Sequence, residues 1–260
     1  MKSISSRDNP LYRELHALAA DRRARREAGR TLLDGPHLLE AAMRAGIPVE
    51  RLIYAEEALE GELGAWHKRL AGVPVLVLPA RLLAGLAPVD TPTGLLAQIA
   101  IPRQEPVPGG CIVLLENIQD PGNLGALLRV AAASGVRAVH LSRGCAEAWS
   151  PKCLRGSQGA HFSLVIREGQ DLTAVARDFP GTLHAAVLGA GDSVWALDLR
   201  GCVGFAFGNE GAGLSEAVRQ VCRPFSIPMA AGVESLNVAA AAAVCLFERL
   251  RQSGAGHDPC

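Results

Sequence analysis

Residues 227–247 read IPMAAGVESLNVAAAAAVCLF. A short apolar strand expected over 224–227 runs into a polar loop, and the loop runs into an alanine-rich helix expected over 236–252. Ser235 is placed to N-cap that helix. Asn237 would then sit at the second helical position, where its propensity is poor, so it needs another reason to be there. The same succession occurs twice upstream. An apolar run over 111–115 precedes Asp120-Pro121-Gly122-Asn123 and a helix expected over 122–134, stopped by Gly135. A second apolar run over 202–207 precedes Gly208-Asn209-Glu210-Gly211-Ala212-Gly213 and a helix over 214–221. Further strands over 136–141, 162–166 and 182–188, with a helix over 171–179, complete the alternation. Strands alternating with helices predict an α/β fold whose parallel sheet carries helices on both faces. Such sheets bind ligands at their carboxyl edge, so three polar loops there predict one composite pocket.

Outward from this half, residues 10–100 read as a small α/β domain. A basic helix is expected over 11–27, strands over 31–33, 51–54, 73–78 and 94–99, and helices over 36–45 and 57–70. Residues 101–110, IPRQEPVPGG, hold three prolines and two glycines and read as a linker. The expected division is therefore 1–100, the linker 101–110, and 111–260.

Composition narrows the function classes. No apolar run approaches the roughly 20 residues of a membrane span, and MKSISSRDNP has no apolar core after its charges, so neither a membrane partner nor a signal peptide is expected. The cytoplasm is the default. Seven cysteines, at 111, 145, 153, 202, 222, 245 and 260, are scattered without a Cys-x-x-Cys. His140, Cys145, Cys153 and His161 fit no familiar zinc spacing, so no metal is assigned. Formal net charge is zero, yet residues 1–30 carry +4 and the remainder −4. Arg22, Arg23, Arg25 and Arg26 are the dense part. They read equally as a phosphate-binding run or as a solvated helix face. Lys152 and Arg155, in the polar stretch 149–159, pose the same choice.

Arg129 stands two turns into an otherwise apolar helix, on the face that follows Gly122. A cation there must snorkel or find a partner. The glycines of 208–213 are ordered G-x-x-G-x-G rather than G-x-G-x-x-G, and they come late in the chain, which disfavours a nicotinamide oxidoreductase. They still permit close backbone approach.

Taken together, Asn123 with Arg129, Gly208-Asn-Glu-Gly, and Ile227-Pro-Met with Ser235-Leu-Asn-Val resemble the three motifs of the SpoU (TrmH-type) RNA methyltransferases of the SPOUT superfamily. Order and spacing correspond from about 111 to 250. The N-terminal half is similar to that family's L30e-like substrate-binding domain, around Leu32-Leu33-Asp34-Gly35. The resemblance implies an S-adenosylmethionine-dependent 2′-O-ribose methyltransferase acting on RNA, 23S rRNA foremost. It also implies a trefoil knot and a homodimer. Cofactor contacts would fall on Gly208, Ile227, Leu236 and nearby Met229. Arg129 would stabilise the developing alkoxide, since guanidinium stays protonated, with Asn123, Glu210, Ser235 and Asn237 orienting it and the ribose. The proton acceptor stays open. A tRNA enzyme, or a catalytically silent RNA-binding or assembly factor on the same fold, remain the alternatives. Tyr12, Tyr54 and Trp149 are the candidates for base stacking.

Overall fold

The computed structural model describes residues 1–89, 91–105 and 109–254. Residues 106–108 of the expected linker and the tail beyond 254, with Cys260, lie outside the described residues. The chain forms two compact units, one of Met1–Arg103 with Trp149–Phe162, the other of Gln104–Ala148 with Ser163–Cys260. In chain order, the first unit begins with β1 (Lys2–Ser3), α1 (Pro10–Ala20), α2 (Arg22–Ala28), β2 (Arg30–Asp34), α3 (Pro36–Arg44) and β3 (Val49–Ala55). It continues with α4 (Ala65–Arg69), β4 (Val75–Leu78), α5 (Ala80–Ala84) and β5 (Leu95–Ala100). The second unit opens with β6 (Ile112–Leu115), α6 (Pro121–Ala133) and β7 (Ala138–Ser142). The chain then supplies α7 (Pro151–Ser157) to the first unit. It completes the second with β8 (Val165–Gln170), α8 (Leu172–Asp178), β9 (Thr182–Ala186), β10 (Asp192–Ser193), β11 (Val203–Phe207), α9 (Glu216–Gln220), β12 (Arg223–Ser226) and α10 (Val238–Ser253).

The first unit holds a mixed five-stranded sheet in the order β1-β4-β3-β5-β2. Its helices depart from the expected ones for local reasons. The basic helix expected over 11–27 is two helices, because Asp21 takes an extended conformation (φ −115, ψ 121). Its N–H closes α1 on Ala17 O, and its carboxylate caps α2 through Arg23 N. The helix expected over 57–70 is two 3₁₀ turns followed by the short α4. Gly64 is folded so tightly that a Cβ there would lie 2.0 Å from Leu59 O. Residues 149–162, expected within the C-terminal domain, belong to this unit instead. Thr31 Oγ1 donates to Trp149 O (2.7 Å), and α7 packs on β2. The 3₁₀ turn Ala160–Ser163 follows, so the strand expected over 162–166 starts only at Val165.

The second unit is built on a seven-stranded sheet, β10-β12-β9-β11-β6-β7-β8, parallel at every pairing. Parallel strands covered by helices must be apolar along their length, and β6 and β11 are buried at every position. Phe205, Phe207, Phe225 and His184 stack through its centre. The alanine-rich α10 packs on α6 within one chain; small side chains let the two backbones approach. No helix among the described residues is long and apolar enough to cross a membrane.

Candidate active site

Strands β6 and β11 end side by side, Leu115 opposite Phe207, with Glu116 N donating to Phe207 O (2.9 Å). Their loops therefore leave the same edge of the sheet. Asp120 caps α6 by accepting from Asn123 N (2.7 Å), with Pro121 in the first turn. That leaves the Asn123 side chain free to reach across, and its Nδ2 donates to Glu210 Oε1 at 2.7 Å. The third loop brings Asn237, whose Nδ2 donates to Asn123 Oδ1 (3.0 Å) and to Glu210 Oε1 (3.1 Å). One residue from each polar loop thus meets in a single hydrogen-bonded cluster.

Asn237 also corrects the sequence expectation for this helix. It, not Ser235, is the N-cap of α10: its Oδ1 accepts from Ala239 N (2.9 Å) and Ala240 N (3.3 Å). The helix begins two residues later than expected, which accounts for an asparagine at what had counted as an interior position. Ser235 is exposed and lines the adjoining cavity.

That cavity measures about 320 Å³ and adjoins the cluster at Glu210. Gly208, Ile227, Met229 and Leu236 all line it, together with Val187, Leu188 and Arg219. Gly208 has a reason for being glycine within the loop itself. A Cβ there would lie 2.2 Å from Gly213 C, where Asn209 and Gly213 form a bridge. The hairpin-like loop is fixed further by Asn209, whose Oδ1 accepts from Gly211 N and Ala212 N while its Nδ2 donates to Asn117 O. Glu116 holds the far end, accepting Ser215 N and Ser215 Oγ at 2.7 Å each. Sequence reading gave no role to Asn117, Glu116 or Ser215, and quoted Asn209 only as part of the 208–211 motif. Glu116, Asn117 and Asn209 showed only as polar residues just after strands, and Ser215 only as a helix N-cap. The walls suit S-adenosylmethionine: aliphatic side chains for an adenosine, closely approachable backbone at 208–213, and a carboxylate, Glu210, opposite in charge to a sulfonium.

Arg129 does not join the cluster. It is exposed on α6 and has no partner among the described residues. The expected RNA-binding residues divide. Arg25 is 4% exposed, with Nη1 donating to Leu18 O (2.6 Å) and Ala19 O (3.1 Å). It caps the carboxyl end of α1 and is not available to a phosphate. Arg23 pairs with Glu27 on the surface, and Arg22 and Arg26 are exposed. Lys152 is exposed, whereas Arg155 is committed to the buried carboxylate of Asp34. Burial raises the Asp34 pKa, and Arg155 offsets part of that rise. The three candidate stacking aromatics, Tyr12, Tyr54 and Trp149, are all buried core residues, so base stacking on them is ruled out by burial. Cys111, Cys145, Cys153, Cys222 and Cys245 are buried and outside any disulfide, and Cys202 is disulfide-bonded. Burial pushes Cys222 up to about 11 and Cys245 to about 12, which makes both poor nucleophiles. Among the described residues no group of three or more His, Cys, Asp or Glu is placed to hold a metal.

A sequence model of the SpoU rRNA methylase family matches residues 110–247. The chain belongs to this family. An MRM3-like substrate-binding domain matches residues 9–97. Among relatives, an uncharacterised tRNA/rRNA methyltransferase of Synechocystis is 34% identical over 99% of this chain and 96% of its own. The 23S rRNA (guanosine(2553)-2′-O)-methyltransferase RlmP of Bacillus subtilis is 29% identical over 95% of this chain and 98% of its own. The SpoU methyltransferase AviRb of Streptomyces viridochromogenes, crystallised with S-adenosylmethionine, superposes with a TM-score of 0.85 at 29% identity. That superposition covers 94% of this chain and 98% of AviRb. The matched span, residues 110–247, contains all three loops.

Proposed function

We propose that this protein transfers a methyl group from S-adenosylmethionine to a ribose 2′-OH of RNA, with 23S rRNA as substrate. The observation that carries the reading is the joining of Asn123 and Asn237 to Glu210, which lines the cavity together with Gly208, Ile227, Met229 and Leu236. The cofactor, when bound, supplies a methyl group already activated by its sulfonium. What remains for the chain is alignment and charge management. Asn123, Asn237 and Ser235 orient the ribose. Arg129, a permanent cation on exposed helix surface, stabilises the developing alkoxide and anchors the neighbouring phosphate. Arg22, Arg23, Arg26 and Lys152 contribute phosphate contacts that fall off with salt.

The same reading includes a homodimer formed on the α6–α10 side, where Phe247 is 46% exposed on α10. It includes a trefoil knot in the segment leading from β11 to α10, consistent with β12 lying beyond β9 and α10 returning to α6. Residues 1–100, with 149–162 packed on them, would serve as the RNA-binding domain and the rest of 111–260 as the transferase, joined by 101–110, in a cytoplasmic enzyme. The test is a map of ribose methylation across total RNA with and without the protein, beside calorimetry with S-adenosylmethionine. A ribose methyl on 23S rRNA that depends on this chain is expected. Methylation confined to tRNA would redirect the substrate. No heat at millimolar cofactor would remove the enzyme.

A further inference from the structure

A second cavity opens at the carboxyl ends of β6, β7 and β8, on the same sheet edge as the methyl-transfer loops. It measures about 430 Å³, within the roughly 300–1,000 Å³ of small-molecule sites. Its walls are tied to the loop that borders the first cavity. Asn117 O accepts from Asn209 Nδ2 at 3.1 Å, and the Glu116 carboxylate accepts Ser215 N and Oγ. Asn117, Glu116 and Ser215 all line the second cavity, so whatever occupies it lies beside the reacting ribose.

The backbone is shaped to present polar side chains there. Asn117 takes a left-handed conformation (φ 55), which asparagine tolerates. Its N–H donates to Ser142 Oγ (3.0 Å), and its Oδ1 accepts from the same hydroxyl (3.4 Å). A Cβ at Gly144 would lie 1.9 Å from Asn117 Oδ1, so only glycine leaves that amide in place. On the far strand, β8 carries one extra residue between the pairs His140–Arg167 and Ser142–Gln170, with Gly169 at φ 69. Such a bulge re-aims the side chains beyond it, and it sets Gln170 opposite Ser142.

Three wall groups are left without partners among the described residues: the Arg143 guanidinium, Asn117 Nδ2 and Gln170 Oε1. The wall carboxylates are committed. Glu116 holds Ser215, and Asp171 caps α8 by accepting from Thr173 N, Thr173 Oγ1 and Ala174 N. A free cation, a free amide donor and a free amide acceptor complement a phosphate and a base edge. We propose that this cavity takes an RNA nucleotide flanking the methylated one, its phosphate on Arg143 and its base edge on Asn117 and Gln170. The proposal rests on the methyltransferase reading of the neighbouring site. The flanking nucleotide would select the sequence, since phosphate contacts alone carry no base information.

The test uses the full chain and an unmodified transcript of the RNA segment that the methylation map identifies. Arg143→Ala is expected to weaken RNA Kd about tenfold by filter binding. It should also lower the slope of log Kd against log salt by about 0.7, the share of one single-strand phosphate. Asn117→Gly, which keeps the left-handed backbone, and Gln170→Ala should leave the slope unchanged. Both should flatten the preference among transcripts that differ in the base at one flanking position. All three variants should keep cofactor Kd and the single-turnover rate at saturating RNA within about threefold, as loss of uniform binding requires. An Arg143→Ala variant with wild-type RNA Kd and salt slope would overturn the proposal. So would a nucleoside 5′-monophosphate whose binding, read by calorimetry, is lost in Arg143→Ala while RNA Kd stands, since the cavity would then serve a free nucleotide. Absence of any 2′-O-methyl product from wild type would bring down the methyltransferase reading and the flanking site with it.

Discussion

Asn237 serves two masters, and the two can be separated by substitution. Its Oδ1 caps α10 through Ala239 N and Ala240 N, while its Nδ2 bridges Asn123 and Glu210. Asn237→Ala removes both functions. Loss of an N-cap costs about 1 kcal/mol. The shared amide hydrogen bonds are solvent-exposed, so they add roughly 0.5–1 kcal/mol in total. Together these amount to about 1.5–2 kcal/mol, or a fall in Tm of about 3–8 °C for a unit of this size. Asn237→Asp should behave differently. An aspartate caps as well as an asparagine and suits the positive end of the helix. It also replaces the amide donor with a second carboxylate facing Glu210 and pushes that side chain away. The expected outcome is a variant that keeps the cap, melts between wild type and Asn237→Ala, and loses its methyl-transfer rate while cofactor Kd holds. Differential scanning calorimetry paired with single-turnover assays would read both effects. If Ala and Asp variants melt alike, capping is not what Asn237 contributes to stability. If the Asp variant is fully active, the amide does not arrange Glu210.

Four further outcomes follow. Gly208→Ala would place a methyl group 2.2 Å from Gly213 C, displacing the loop that walls the cavity; calorimetry should show cofactor binding lost by at least about tenfold, at a stability cost of roughly 1–3 kcal/mol. Arg25→Ala should destabilise the first unit by about 1–3 kcal/mol, because it strips a charged donor from buried carbonyls. Arg26→Ala should leave Tm within a degree or two yet weaken RNA binding and its salt dependence. His140 is lowered to about 4, by burial first and by Arg167 second. The unfolded chain takes up its proton below about 6.5, so the unfolded state binds more protons in that window and stability falls as pH drops from 6.5 towards 4. A Tm that is flat across this range in wild type would contradict it.

Local rules decided most of what was legible in advance. Apolar runs followed by polar loops and helices reproduce the parallel sheet, because a strand buried on both faces must be apolar throughout. The same pattern located the three loops at one edge, and the resemblance named the residues on them. Helix boundaries were less legible where a polar residue chose between capping and continuing. Asp21 split a helix, and Asn237 took the cap from Ser235, since either choice satisfies the same orphan N–H groups. Long-range pairing was not legible at all. Nothing in the run at 22–26 distinguishes Arg25, which turns inward onto α1, from Arg26, which stays in water. Nothing near Arg155 announces Asp34, 121 residues away, or that 149–162 would fold with the first unit. By itself, then, the sequence determined the alternation of elements and the chemistry present at each strand end, because both depend on neighbours along the chain. Which oxygen of Glu210 is occupied, which arginines remain free and which aromatics are buried depend on groups brought together across the fold, and only tertiary structure decided them.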